Sequence, residues 1–420
     1  MLKNWLFKVR GVASLLFILA VAFPVHAKQI QVKPGQGTIA AAVVSAQSGD
    51  LLLLTAGEFH DSLTLPEGVH LKGAGADVTR LLLTGDIGIE CQGSGEVISD
   101  MTIEGELTKL KVGVSSDHPV RVERVRFEHL KVGVFLKRAP LSDVVACEFD
   151  DCEVGVWGEM NASPTVWGCR FEKCGLGVYG NEGATQIHNC LFLDSLAGIQ
   201  QFVGAPDRLC IIRNNVFMRC GRFAMEFLQR TEPIGAPSIR NNVVYQCRAV
   251  LMGTPEIASR TSHILMKGVF EPIFRDTQRQ EIDVQYPERS ITIGEPGLSI
   301  ERNGSVKLGA QALVRNRGLH TGWRGDTRAA WIGIEPAWTT PGTRAPAGNI
   351  PVRFNLDAQP IIVNGQIEEY QVLELMGRTH ADGSREEDAQ RGIVTYTFDD
   401  GTTVLFDARR YIGEANLPSW

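Results

Sequence analysis

Between residues 120 and 253, short runs of alternating apolar and polar positions recur at a nearly fixed interval, each bounded by turn-forming residues. In register the copies read VRVERVRFEHLKVGVFL (120–136), SDVVACEFDDCEVGVWG (142–158), PTVWGCRFEKCGLGVYG (164–180), TQIHNCLFLDSLAGIQQ (185–201), CIIRNNVFMRCGRFAME (210–226) and PSIRNNVVYQCRAVLMG (237–253). Their anchors Phe127, Phe149, Phe171, Phe192, Phe217 and Val244 are 22, 22, 21, 25 and 27 residues apart, and Gly113, Gly133, Gly155, Gly177 and Gly198 keep nearly the same step. Alternation with a period of two predicts strands rather than helices. Each copy holds about three such runs, so each copy predicts one coil of a three-sided solenoid. Rungs of such a stack lie roughly 4.8 Å apart, which sets every residue above its counterpart in the next rung. A leucine-rich repeat has a similar period, but its Leu-x-x-Leu-x-Leu signature is absent.

Upstream, residues 38–48 read as an amphipathic helix, followed by Gly49-Asp50, the apolar run 51–54, Ala56-Gly57-Glu58-Phe59 and Val69-His70-Leu71-Lys72-Gly73. A helix is expected at that end, because an open solenoid exposes its apolar bore and unpaired strand edges. Downstream, residues 339–351 have the Pro/Gly composition of a linker, and 360–369 and 393–406 read as hairpins. The second turns at Asp399-Asp400-Gly401 between alternating strands, a strong hairpin signal.

Several of these features resemble a known family. Asn214-Asn215-Val216-Phe217 and Asn241-Asn242-Val243-Val244 look like the Asn-Asn-x-hydrophobic turn of parallel β-helix repeats, and Gly133-Val134, Gly155-Val156, Gly177-Val178 and Gly198-Ile199 look like the Gly-Val pair that follows it. The order of cap helix and first rungs is similar to that of pectin-lyase-like proteins, and 310–333, with Asp326 and Trp331-Ile332-Gly333, looks like their closing segment. The resemblance runs over about residues 29–336. It implies an all-β, right-handed parallel β-helix with an N-terminal cap helix and a small C-terminal β appendage. It is specific for fold rather than for reaction. The expected division is a signal peptide (1–27), a β-helix domain (28–338), a linker (339–351) and a small β domain (352–420).

The first segment reads as an export signal. Lys3, Lys8 and Arg10 precede an apolar run at 11–23, and Val25-His26-Ala27 offers a small-x-small cleavage site. An uncleaved anchor is the alternative, but the run is short against the about 20 residues that span a bilayer. Export places the mature chain in the periplasm or outside the cell, with no membrane span after cleavage. Removing those three basic residues takes the net charge from −6 to −9. That balance argues against nucleic acid, whose binding requires Lys and Arg to neutralise phosphates. Anionic polysaccharide stays open, because local basic patches can oppose the net charge.

Nine cysteines are many for an exported chain, and seven fall in repeat columns: Cys147, Cys169 and Cys190, continued by Asn215 and Asn242, and then Cys152, Cys174, Cys220 and Cys247. Disulfides between rungs, a metal site and stacked buried thiols are the three readings. The Cys-x4-Cys spacing is unlike common zinc spacings. Adjacent rungs lie within disulfide reach, but side chains there run nearly parallel. No metal and no cofactor is expected. The asparagine column is read as a turn feature that tolerates left-handed backbone and bonds along the stack.

Function should lie on outward columns. If Val134, Val156, Val178 and Ile199 point inward, the next residues point out: Phe135, Trp157, Tyr179, Gln200, Met225 and Met252. Three aromatics at one-rung steps suggest a platform for sugar rings, and the resemblance places polysaccharide chains on this side in related proteins. The alternative is that another part of the chain, such as the segment after 345, covers the stripe. A second outward column reads Glu123, Val145, Trp167, His188, Arg213 and Arg240. There, arginines could grip polyuronate carboxylates, or the column could be solvated, salt-bridged surface. The candidate binding residues are therefore Phe135, Trp157, Tyr179, Gln200 and Trp167, and the candidate catalytic residues are His188, Arg213 and Arg240.

The aromatic strand shows no acid in its well-registered rungs, and Asp150-Asp151 lies beside a turn, unrepeated in neighbouring rungs. This departs from polygalacturonase-type hydrolases and calcium-dependent pectate lyases, since hydrolysis needs two flanking carboxylates. Three functional classes follow. The first is a protein that binds or handles a polysaccharide, uronic-acid polymers among the candidates. The others are a lyase with Arg213 or Arg240 as base and His188 as partner, and a non-catalytic envelope protein whose stripe is an internal docking surface.

Overall fold

The computed structural model describes residues 27–259, apart from 108, 160–161, 182, 204–209 and 230–236, and beyond these only individual strands, as far as residue 407. The expected signal (1–27) and linker (339–351) lie almost wholly outside the described residues.

Three parallel sheets run the length of the coil, with 11, 12 and 10 strands among the described residues. Sheet one begins at Gln29–Val32 and Leu51–Leu54, sheet two at Gly35–Gln36 and Gly57–Asp61, and sheet three at Leu63–Leu65 and Ile87–Cys91. Successive strands of the chain belong to successive sheets, so each circuit of three strands is one rung. Further on, two antiparallel pairs match the expected hairpins: Ile361–Val363 with Gln366–Glu369, and Ile393–Thr397 with Thr403–Asp407.

The bore is filled by columns of like residues. Sheet one contributes Val122, Val144, Val166, Ile187, Ile212 and Ile239, all fully buried and in register. In sheet two Phe127, Phe149, Phe171, Phe192 and Phe217 stack face to face, with centroids 4.7–4.9 Å apart and planes within 8°. This stack explains the glycine column. A Cβ on Gly155 would come within 2.6 Å of the Phe171 ring, and one on Gly133 equally close to Phe149. The glycines let the rings pass, so the Gly-Val pair and the Phe anchor are two halves of one packing unit.

Corners are turned by single residues in the left-handed region. Between sheets one and two these are Asp100, Arg124, Ala146, Gly168, Asn189, Asn214 and Asn241; between sheets two and three they are His129, Asp151, Lys173, Asp194, Arg219 and Gln246, with φ of 51–62° throughout. The two halves of the Asn-Asn turn therefore have different tasks, which the single-column reading merged. Asn214 and Asn241 supply the left-handed backbone. Asn215 and Asn242 point inward, donating from Nδ2 to the carbonyls of Ile187 and Ile212 at 3.0 Å. Asn215 Oδ1 accepts the Cys190 N–H at 2.9 Å, and Asn242 Oδ1 that of Asn215 at 3.0 Å.

The cysteines continue this task. All nine are buried free thiols. Cys147, Cys169 and Cys190 lie within 3.3–3.6 Å of the carbonyls of Val122, Val144 and Val166 in the preceding rung, as the asparagines do. Ser195 completes the second column between Cys174 and Cys220, accepting the Cys174 N–H at 3.2 Å. Burial pushes the Cys147, Cys152 and Cys169 thiols well up, so they stay protonated donors.

At the N-terminal end the helix is Thr38–Val43, shorter than the expected 38–48. It starts at a left-handed Gly37 with no cap of its own. Asp61 of the next rung accepts the N–H groups of Ile39 (2.9 Å) and Ala40 (3.2 Å) instead, and Ile39 plugs the bore. The helix stops where Val44 would point into solvent, at 88% exposure.

Candidate functional site

The outer face of sheet three carries the aromatic column. Phe135, Trp157, Tyr179 and Gln200 pair rung to rung, as the alternation predicts, and all four are half-buried. The rings meet edge to face: Phe135–Trp157 at 5.5 Å and 78°, Trp157–Tyr179 at 5.2 Å and 76°. Tyr179 makes a further such contact with Phe202 of the neighbouring column, at 5.9 Å and 73°. Each ring of the ladder thus stands nearly perpendicular to its neighbour. Beside it run the half-buried Val154 and Leu176 on one flank, and Lys137, Glu159, Asn181 and Phe202 on the other.

Below Gln200 the expected register fails. Gln200 pairs with Glu226, and Met225 pairs with Ile199 and Leu251 in the bore. One extra residue, in the turn at Gly221-Arg222, moves Met225 inward and Glu226 outward; Met252, on the next rung, returns to the outward column. A slip of one residue exchanges the faces of a strand. Counting from the small-apolar pair Ala224-Met225, rather than from Cys220, is the signal that would have shown it. The column therefore does hold an acid. Glu226 is 2% exposed, and its carboxylate accepts from Gln200 Nε2 and, at 3.3 Å, from Arg222 Nη2. Arg222 also lies over the Phe223 ring at 5.5 Å.

The second candidate column stands in the expected register on sheet one: Glu123, Val145, Trp167, His188, Arg213 and Arg240. It is not solvated surface. All six residues are buried, and Arg213 retains only 1% exposure. At one end is an ionic network. Arg121 Nε bonds Glu123 at 2.8 Å, Arg124 Nη2 bonds Glu123 at 2.6 Å, and Arg124 grips Asp100 with bonds of 2.7 and 2.9 Å. Burial opposes the charge on Glu123, but Arg121 and Arg124 outweigh it and hold the carboxyl below its usual range. At the other end the Trp167 ring lies 5.4 Å from His188, and Arg213 Nη2 reaches Ser238 Oγ at 3.0 Å. Burial, and then the Arg213 charge, lower the His188 pKa to about 3, so the imidazole is neutral at ordinary pH.

Solvated ion pairing belongs to sheet two. Glu104, Glu128, Asp150 and Glu172 form one outward column, beside Arg80, Arg126, Glu148 and Arg170. Asp150 is thus one of a series, a column that the spacing of Asp150-Asp151 alone did not reveal. Arg80 pairs with Glu104, and Arg126 with Asp77 and Glu148 at 2.9 Å. Glu104, Glu128 and His129 bring ligand atoms within 4.8 Å of one another, close enough to share a cation. Glu104 is already engaged by Arg80, and His129 is exposed.

Residues 67–207, in the middle of the three-sided coil, match a family profile described as "Right handed beta helix region". The chain is a right-handed β-helix repeat protein. No curated protein sequence matches this β-helix protein. Among solved structures, it is similar to ORF18 of Geobacillus virus E2, with 14% identity, a TM-score of 0.45, and coverage of 59% of this chain and 60% of that one. It is also similar to the PL6 family alginate lyase AlyGC, at 14% identity and TM-score 0.41 over 64% of this chain and 40% of that one. An alginate lyase from Paenibacillus sp. str. FPU-7 gives 14% and 0.41, over 63% and 98%. The β-helix protein thus spans 60% and 40% of the first two chains.

Proposed function

We propose that this is an exported glycan-binding protein whose ligand lies along the outer face of sheet three, over Phe135, Trp157 and Tyr179. The observation that carries the reading is the ladder itself: three half-buried aromatic rings at 5.2–5.5 Å steps on an outward face. A solvated sheet face has no structural need for such a stripe. Sugar units repeat along an extended chain at about the length of one rung, and their C–H faces suit aromatic rings. Gln200 and Asn181 lie beside the rings and offer hydroxyl partners. On this reading residues 1–27 direct export, and Trp167, buried on sheet one, is not part of the binding surface.

Affinity electrophoresis through a panel of polysaccharides tests the proposal. Trp157→Ala should abolish retardation while keeping a cooperative melting transition, at a cost of about 1–3 kcal/mol for a half-buried ring with two edge-to-face neighbours but no place in the bore. Unchanged retardation of that variant would remove the ladder from the binding surface. Shortening of the polymer would instead favour a lyase and direct attention to His188, Arg213 and Arg240, which share one column although all three are buried.

A further inference from the structure

The outer face of sheet two changes character along the coil. Three successive rungs present the half-buried pairs Arg126 and Glu128, Glu148 and Asp150, and Arg170 and Glu172. The next three, in register with them, present Leu191 and Leu193, Val216 and Met218, and Val243 and Tyr245, and Leu265 continues the first column. These apolar residues point away from the bore, yet Leu191, Leu193, Val216, Met218 and Val243 are only 0–4% exposed.

Burial on the outside of a sheet needs a second layer, because neighbouring strands lie in the plane of the face and not over it. Among the described residues, both helices are elsewhere: Thr38–Val43 closes the N-terminal end, and Pro255–Ser259 lies beside Thr261–Ser262 of sheet one. The turns that join sheet three to sheet one leave from the corner opposite sheet two. The layer therefore comes from the chain beyond residue 259.

One segment there has the matching form. Leu298–Ile300 and Val306–Leu308 make an antiparallel pair, a sheet of their own and not an extension of the coil's edge. Leu298 pairs with Leu308 and Ile300 with Val306, so alternation sets four aliphatic residues on one face, with Ser299 and Lys307 on the other. A two-stranded pair is marginal alone in water and requires its apolar face to be covered. It is also tethered close by. Ile291–Ile293 is the last described strand of sheet two, and only Gly294-Glu295-Pro296-Gly297 separates it from Leu298. Glu295-Pro296-Gly297-Leu298 has the Pro and Gly of a type II turn, which reverses the chain. The five Cα steps reach at most about 18 Å, enough for the nearest rungs at about 4.8 Å each. Sheet one is buried on its outer face as well, but it presents Glu123, His188, Arg213 and Arg240, to which four aliphatic side chains offer no polar partner.

We infer that the pair formed by Leu298–Ile300 and Val306–Leu308 docks, aliphatic face down, over Val216, Met218, Val243 and Tyr245 on sheet two. It fastens the C-terminal continuation of the chain to that side of the coil. The aromatic ladder, on sheet three, lies outside the contact. This goes beyond the glycan reading and stands or falls without it.

The test is photo-cross-linking of the full chain with Tyr245 replaced by p-benzoylphenylalanine, an aromatic of similar shape at a half-buried position. After irradiation and tryptic digestion, mass spectrometry should find residue 245 joined to a peptide containing Leu298–Ile300 or Val306–Leu308. The same probe at Tyr179, on sheet three, should not give that product. Joining to 393–407 would overturn the inference, since that pair also sets apolar residues on one face, Val394, Tyr396, Val404 and Phe406. A cross-linked dimer, or no cross-link at all, would overturn it too. A second measurement gives a readout even if the labelled protein does not fold. Leu308→Asp should raise the fluorescence of the apolar dye anilinonaphthalene sulfonate about threefold or more while the melting transition of the coil persists, because the face on sheet two is uncovered. Ser299→Asp, on the other face of the pair, should leave the fluorescence unchanged. Equal dye binding by the parent and Leu308→Asp would overturn the docking.

Discussion

At the scale of the residue, the glycines of this chain are not interchangeable. Gly155 has no room for a side chain, because an added Cβ would lie 2.6 Å from both the Phe171 ring and the Gly177 carbonyl oxygen. At Gly158, three residues on, the nearest atom is 3.5 Å away. Gly155→Ala should therefore cost about 1–3 kcal/mol, as overpacking of a tight core does, and Gly158→Ala less than about 0.5 kcal/mol. Thermal melts of the two variants side by side check this, and equal shifts would contradict the packing account. The inward amides make a second case. Asn215→Ala leaves the buried Cys190 N–H without its acceptor and should cost about 1–3 kcal/mol, measured by urea unfolding.

At the scale of the element, each strand of the coil is only two to seven residues long and is defined by which side chains face the bore. Val156 is fully buried between Val134 and Val178, with the half-buried Trp157 next to it. Val156→Asp places an unpaired charge in the core and should abolish the native melting transition. A soluble Val156→Asp protein with a normal melt would mean that the inward and outward assignments are reversed. The same alternation accounts for the one register error. An extra residue in a turn leaves the apolar pattern locally plausible in either frame, and only pairing with Gln200 on one side and Met252 on the other decides that Glu226 faces out.

At the scale of the whole molecule, the coil surrounds ionisable groups that no single strand would bury. His188 shows the consequence for pH. Its folded pKa of about 3 lies below the ordinary histidine value of about 6.5, so protons bind the unfolded chain first. Its stability contribution is therefore complete above about pH 6.5 and falls as pH drops from there toward 3. Near pH 4.5 the loss should be about 2–3 kcal/mol, at about 1.4 kcal/mol per pH unit. His188→Gln removes this slope. Chemical unfolding of parent and variant at pH 7 and 4.5 should show the difference between them shrinking or reversing at the lower pH. A parallel pH dependence in both proteins would place the titration elsewhere.

The sequence alone determined the architecture, because a period near 22 with alternation inside each copy has no other compact solution than a stacked coil. It also determined the two core columns and the aromatic ladder, since stacking carries every repeat position onto its counterpart. It did not show why the glycines and phenylalanines occur together, that cysteine, serine and asparagine share one task at the corners, or that Glu226 ends the ladder. Nor did it show that Glu123 to Arg240 is a buried column while the solvated charges gather on sheet two. Each of these depends on what lies across a rung or over a face, at distances of a few ångströms between residues twenty or more apart in the chain. Periodicity specifies which residues stack, but tertiary packing alone decides what covers them.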